Sequence, residues 1–116
     1  MTEDDIQATV IDGLRKAGAR GLVAWHPKNG GVHQAGKWQR VKNARLGVLA
    51  GVADVHILHA GKLYCLELKT EHGKESEAQR SVRRIMLEAG AVCGIAHGID
   101  DALTWLAGHG LLRGAV

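Results

Sequence analysis

Aromatic residues are scarce in this chain of 116 residues, which has no phenylalanine, one tyrosine and three tryptophans. A protein that binds nucleic acid mainly by stacking bases on a platform of several aromatic rings is therefore disfavoured. The core has to come from leucine, valine, isoleucine and alanine, and a hydrophobic fraction of 46% is enough for an ordinary core. The length predicts one domain over residues 1–116 and is too short for two.

Cysteine is also rare, since the chain has only Cys65 and Cys93, and neither belongs to a CxxC pair. Two thiols in apolar runs predict buried free cysteines in a reducing compartment and not a disulfide framework. No stretch approaches the ~20 apolar residues of a membrane span. The N-terminal MTEDDIQ is too acidic and polar for a secretory signal, so we expect a cytoplasmic protein with no membrane partner.

Acidic residues are missing altogether from the stretch between Gly13 and Ala53. The same stretch carries eight cations, which are Arg15, Lys16, Arg20, Lys28, Lys37, Arg40, Lys42 and Arg45. A basic, solvated loop is the simplest interpretation. A phosphate-bearing polymer is nevertheless the natural partner of so long a segment without a carboxylate.

Periodicity and capping signals predict the element order α-β-(loop)-β-β-α-β-α. Thr2 is a plausible N-cap for a first helix that ends at Gly18, and a short strand follows over residues 22–25. The chain from there to Gly51 predicts a long, partly ordered loop with a helical turn near residues 41–46.

Beyond Thr70 the pattern predicts a strand-crossover unit. Ser76 and Gln79 have the spacing of a capping box, which starts a helix that runs to about Ala89. Its apolar stripe is expected to pack on the sheet and consists of Ala78, Val82, Ile85, Met86 and Ala89. A strand over residues 91–96 should run parallel to the preceding one, and Asp100 or Asp101 is expected to cap a last helix.

Residues 55–58 and 63–68 read as two strands of a hairpin with Ala60-Gly61 at the turn. A loop of even length places Asp54 directly opposite Glu67, where two carboxylates repel one another unless a cation lies between them. Lys69 projects from the same face as Glu67. The two acids, the lysine and the backbone carbonyl of Leu68 suggest a Mg²⁺ site for phosphate chemistry.

Simpler interpretations of these residues stay open. Asp54 can cap the turn while Glu67 pairs with Lys69, which leaves no metal site. Gln79 can be a capping residue alone. A zinc site at the facing pair His56 and Cys65 is conceivable, although two ligands fall short of the usual four.

At this point the residues resemble a known family. Asp54 followed by Glu67-Leu68-Lys69 resembles the PD-(D/E)xK nuclease signature. Residues 51–54 (GVAD), 67–70 (ELKT) and Gln79 in the next helix resemble the virus-type replication-repair nuclease (VRR-NUC) domain more particularly. Ala53 is a departure, because the family often has proline before the acid.

The resemblance implies an α/β fold with a restriction-endonuclease-like core, in which a mixed central β-sheet is flanked by helices. It implies a DNA endonuclease that hydrolyses phosphodiester bonds with Mg²⁺, for which Mn²⁺ can substitute. It further implies a homodimer acting on branched DNA, such as a Holliday junction or a flap, in replication, repair or recombination. The expected setting is a bacterial or phage-infected cell.

The resemblance also assigns residues to roles. Asp54, Glu67 and the Leu68 carbonyl would bind metal, with Glu3 as a further acid that assists the centre. Lys69 would be the catalytic lysine, and Gln79 would position it or the substrate. The cations and the Asn29 segment give the expected DNA-binding set, which is Lys28, Asn29, Lys37, Arg40, Lys42, Arg45, Arg80 and Arg83.

Two rival functions remain at this stage. One is a catalytically inactive DNA-binding module of the same fold, although a pure binder has no need to hold two carboxylates together. The other is a sugar- or nucleotide-phosphate hydrolase, which explains the metal site and leaves the basic stretch unexplained.

Overall fold

A computed structural model describes residues 1–27 and 36–114. Within them the chain forms four helices and four strands, in the order α1 (Glu3–Ala17), β1 (Val23–Trp25), α2 (Lys37–Arg45), β2 (Val55–His59), β3 (Lys62–Lys69), α3 (Glu77–Glu88), β4 (Val92–His97) and α4 (Ile99–Gly108). The strands make one mixed sheet in the order β1-β2-β3-β4. The first two pairs are antiparallel, and β3 pairs with β4 in parallel as predicted.

The β2–β3 hairpin has a turn of two residues. Ala60 and Gly61 both have positive φ, at 51° and 77°, which is the conformation of a type I′ turn. The strands pair in the register His56↔Cys65. The predicted register is therefore confirmed, and its continuation by one rung places Asp54 opposite Glu67.

The core lies on one side of the sheet, between β2–β3 and the helices α1 and α4. The strands contribute Val55, Ile57, Tyr64, Leu66 and Leu68, and the helices contribute Ile6, Val10, Leu14, Ala102 and Leu106. On β4, Gly94 allows the ring of Trp105 to lie against the backbone, since an added Cβ would stand 2.6 Å from Trp105 Cε2.

Helix α3 covers the other side of the sheet along a narrower contact than predicted. Val82 is buried and Met86 is half-buried, whereas Ala78, Ile85 and Ala89 are exposed. The prediction that the whole apolar stripe packs on the sheet is therefore wrong. The reason is that α3 contacts the edge strand β4, so only part of the helix has sheet beneath it.

Two further element boundaries differ from the predictions. Helix α2 begins before the helical turn expected near residues 41–46, and it buries none of its residues, so hydrophobic periodicity could not reveal it. Helix α4 follows Gly98 and is not capped by an aspartate. Asp101 instead accepts a hydrogen bond from the backbone N–H of His97 (2.8 Å).

In the part of the chain that the structure describes, no helix has the length and apolar character needed to cross a membrane.

Candidate active site

Asp54 lies one residue before β2, at the end of the hairpin farthest from the turn. Its Oδ2 accepts a hydrogen bond from the backbone N–H of Leu68 (2.8 Å). Its backbone carbonyl lies 2.6 Å from Nδ1 of His26, just beyond the end of β1. The acid is thus tied to the chain on both sides of β2, and its Oδ1 has no hydrogen bond to the described residues.

Glu67 lies on β3 with only 2% of its surface exposed. Its Oε2 is buried and has no hydrogen-bond partner among the described residues. Burial is the main cause that raises the pKa of Glu67 to about 8; the adjacent Glu75 carboxyl raises it further, Lys69 opposes the rise, and Asp54 adds to it. A buried, unpartnered carboxyl oxygen is costly, and a cation at this point would supply its missing partner.

The backbone of Leu68 contributes to the same place. A strand residue directs its N–H and C=O toward the same neighbour, and the Leu68 N–H points to Asp54. Its carbonyl oxygen therefore faces the same side. No group of three or more His, Cys, Asp or Glu side chains in the described ranges is arranged to hold a metal. The candidate set is two carboxylates and one carbonyl, which suits Mg²⁺ shared with a substrate phosphate.

Lys69 ends β3 two residues beyond Glu67 and is 7% exposed. Its Nζ donates a hydrogen bond to Gln79 Oε1 (3.0 Å). The same Oε1 accepts the backbone N–H of Ser76 (2.8 Å), and the Ser76 hydroxyl accepts the N–H of Gln79 (3.1 Å). The capping box is confirmed, and through it the first turn of α3 holds the lysine.

Comparison with known proteins bears on this arrangement. No protein-family model and no curated protein matches the sequence. A solved structure described as a VRR_NUC domain protein superposes with a TM-score of 0.77 at 21% sequence identity, over 97% of this chain and 92% of that one. The chain has the VRR-NUC fold. The mixed sheet with helices on both sides is that of the predicted restriction-endonuclease-like core.

Within the VRR-NUC fold, Arg83 forms an ion pair close to the candidate site. Its Nε and Nη2 donate to the two carboxylate oxygens of Glu75 at 2.8 and 3.0 Å. The Glu75 side chain is only 7% exposed, and the pair with Arg83 is the main reason that its pKa falls to about 2. Arg83 is therefore held in an ion pair next to Glu67, and its place in the DNA-binding set stays a prediction.

The other predicted DNA contacts lie on the surface or outside the described residues. Arg80 is 59% exposed in its side chain, with Nε 3.7 Å from Glu75. The four α2 cations are exposed and are Lys37, Arg40, Lys42 and Arg45. Lys28 and Asn29 lie outside the described residues.

The predicted assisting acid does not join the site. Glu3 is exposed in the first turn of α1, and among the described residues it forms no group with Asp54 and Glu67 that could hold a metal. The structure thus brings together Asp54, Glu67, Lys69 and Gln79 and leaves Glu3 apart.

The sequence analysis did not assign two residues to the site that lie close to it in the structure. His26 follows β1 and reaches the Asp54 backbone, and Glu75 precedes α3 and reaches Glu67. No local sequence pattern marks either residue. The contact of His26 joins positions 28 residues apart, and Glu75 reaches from the loop before α3 to Glu67 on the sheet. For His26 the one hint is its position directly after β1. That hint is useful only when the pairing of β1 with β2 is already known.

Proposed function

We propose that this chain is a metal-dependent DNA endonuclease that hydrolyses phosphodiester bonds, selectively in branched DNA. The observation that carries the proposal is the buried Glu67 Oε2, which has no hydrogen-bond partner among the described residues and stands beside Asp54 and Lys69. A binding module gains nothing from this costly arrangement. A divalent cation would relieve it and serve the reaction at the same time.

Each residue then has a chemical role. Asp54, Glu67 and the Leu68 carbonyl would hold Mg²⁺ or Mn²⁺, which would polarise the scissile phosphate and lower the pKa of the attacking water. Lys69, kept in place by Gln79, would stabilise the negative charge that builds up on the phosphate. The water would lose a proton to solvent as its oxygen forms the new bond to phosphorus. The phosphorus–oxygen bond to the sugar would break, and the leaving sugar oxygen would take up a proton from solvent.

The charge of the chain supports DNA as the substrate, and the small size of the chain supports a dimer. An acid-free stretch of cations suits the phosphates of DNA. A chain of 12.4 kDa covers little of a DNA junction, so we propose that two copies act together. Light scattering at micromolar concentration tests this, and a monomer mass would contradict it.

The activity is tested with purified protein on a four-way junction, a flap and a linear duplex, each with Mg²⁺ or with EDTA. We expect cleavage with Mg²⁺ and none with EDTA, and a higher rate on the two branched substrates than on the linear duplex. The Glu67→Gln and Lys69→Met variants should not cleave. Glu88→Gln and Lys62→Met change exposed residues of the same types and should cleave normally. DNA binding without metal-dependent cleavage by the wild type would contradict the proposal and leave a binding module.

A further inference from the structure

Trp38 is the most exposed large hydrophobic residue in the described part of the chain. It is 82% exposed, whereas Trp25 is 38% exposed and Trp105 lies against Gly94. It stands on α2, a helix of nine residues in which no residue is buried. Tryptophan is usually well buried, so an exposed tryptophan on a helix that buries none of its residues is a candidate contact residue for a ligand.

The neighbours of Trp38 on the helix surface are specific. Val41, Lys42 and Arg45 follow at i+3, i+4 and i+7, which places them on the same face. Gln39 donates to Asn43 Oδ1 (2.9 Å) on another side of the helix. The exposed face therefore presents one aromatic ring, one small apolar side chain and two cations.

The charges on α2 favour a polyanion. The helix carries four cations and no acid, and none of the four forms an ion pair with an acid of the described residues. A second copy of the same face would bring like charges together. A membrane surface calls for a broad, continuous apolar face along a helix, whereas the nine residues of α2 include only two large apolar side chains, Trp38 and Val41, and the exposed Leu46 follows the helix.

We propose that α2 is a contact helix for unpaired DNA bases, in which Trp38 stacks on a base while Lys42 and Arg45 bind the flanking phosphates. Every base offers a π-face to an aromatic ring, and cations beside the ring follow the backbone. A paired base in a continuous duplex is already stacked and has no free face. The inference deepens the proposed function, on which it rests for the choice of DNA, by naming single-stranded or junction segments as what α2 binds.

The test measures binding in EDTA, where metal-dependent cleavage cannot occur. Fluorescence anisotropy follows a labelled single-stranded oligonucleotide and a blunt duplex of the same sequence. Trp38→Ala should lose about tenfold in affinity for the single strand and little for the duplex. Trp38→Phe keeps a ring and should bind nearly as the wild type does, whereas Trp38→Leu keeps apolar bulk alone and should resemble Trp38→Ala.

Two further readouts make the result decisive. Because Trp38 is exposed, the variants should melt at the wild-type temperature, so a loss of binding is not a loss of fold. Oligo(dT) should quench the tryptophan fluorescence of the wild type, and this quenching should be absent in Trp38→Phe.

Several results would overturn the inference. One is an affinity of Trp38→Ala or Trp38→Leu for the single strand that equals that of the wild type. Another is tighter binding of the wild type to anionic phosphatidylglycerol vesicles than to the oligonucleotide. A third is a wild-type dimer that Trp38→Ala converts to a monomer. If Trp38 governs binding but the wild type does not cleave DNA, the proposed function fails and this inference stands. If the wild type cleaves and Trp38→Ala binds normally, this inference fails alone.

Discussion

Glu67→Gln should stabilise the metal-free protein increasingly as the pH rises. The wild-type carboxyl is buried, and its pKa is raised from 4.5 to about 8. Between these two values the native state keeps a proton that the unfolded chain has released. The contribution of Glu67 to stability is therefore fully present below about pH 4.5 and is lost as the pH rises toward 8.

The size of the effect follows from the pH range between the two pKa values of Glu67. Each pH unit between the two pKa values costs the wild type up to about 1.4 kcal/mol, so about 3 kcal/mol is lost between pH 5 and 7.5. Glutamine resembles the protonated acid in shape and can donate an N–H to the adjacent Glu75. Since it does not titrate, the variant should escape this loss.

The assay is urea unfolding followed by circular dichroism, in EDTA, at several pH values from 5 to 7.5. The difference between variant and wild type cancels other groups that titrate in both, including His56, whose pKa is lowered by burial first and by the charge of His26 second. Glu88→Gln, an exposed change of the same type, should give a constant difference. A difference for Glu67→Gln that also stays constant would refute the reasoning, because Glu67 would then titrate normally.

Two other substitutions test how the site is held. Gln79→Ala removes the partner of Lys69 Nζ and should lower kcat about 10- to 100-fold with little change in DNA affinity. Gln79→Glu is the control, because it keeps the helix cap and a partner for the lysine. If Gln79→Ala loses stability but keeps the wild-type kcat, Gln79 is a helix cap alone. Gly51 has φ +90°, and an added Cβ would stand 2.6 Å from the Ala78 carbonyl oxygen, so Gly51→Ala should cost about 2 kcal/mol or more in urea unfolding. Gly47→Ala is the matched control, because Gly47 has φ +86° and open space around it; equal losses at the two positions would contradict the close approach.

The hairpin was predictable because its signals are local. Two strands of clear apolar character and the Ala60-Gly61 turn determine one register, and the register alone brings Asp54 to Glu67. The capping box at Ser76 is local in the same sense. It places Gln79 in the first turn of α3, although only the structure shows that Lys69 reaches it.

The rest depended on tertiary contacts that no local pattern encodes. Arg83 was expected only among the DNA contacts, and no local pattern shows that the nearby Glu75 holds it in an ion pair beside the sheet. The apolar stripe of α3 was predicted to pack Ile85 on the sheet, but β4 is the edge strand and leaves no sheet surface to cover this residue. For α2 only a helical turn near residues 41–46 was predicted, because a helix that buries none of its residues has no apolar period.

The central claim is that Asp54 and Glu67 bind one divalent cation together. Calorimetric titration of Mn²⁺ into the metal-free protein tests it without DNA or catalysis. We expect a site in the wild type that is lost in both Asp54→Asn and Glu67→Gln and kept in Glu88→Gln. Binding should also release protons near pH 7, since Glu67 has to ionise. Mn²⁺ binding that survives either substitution, or a wild type without a site, would contradict the account.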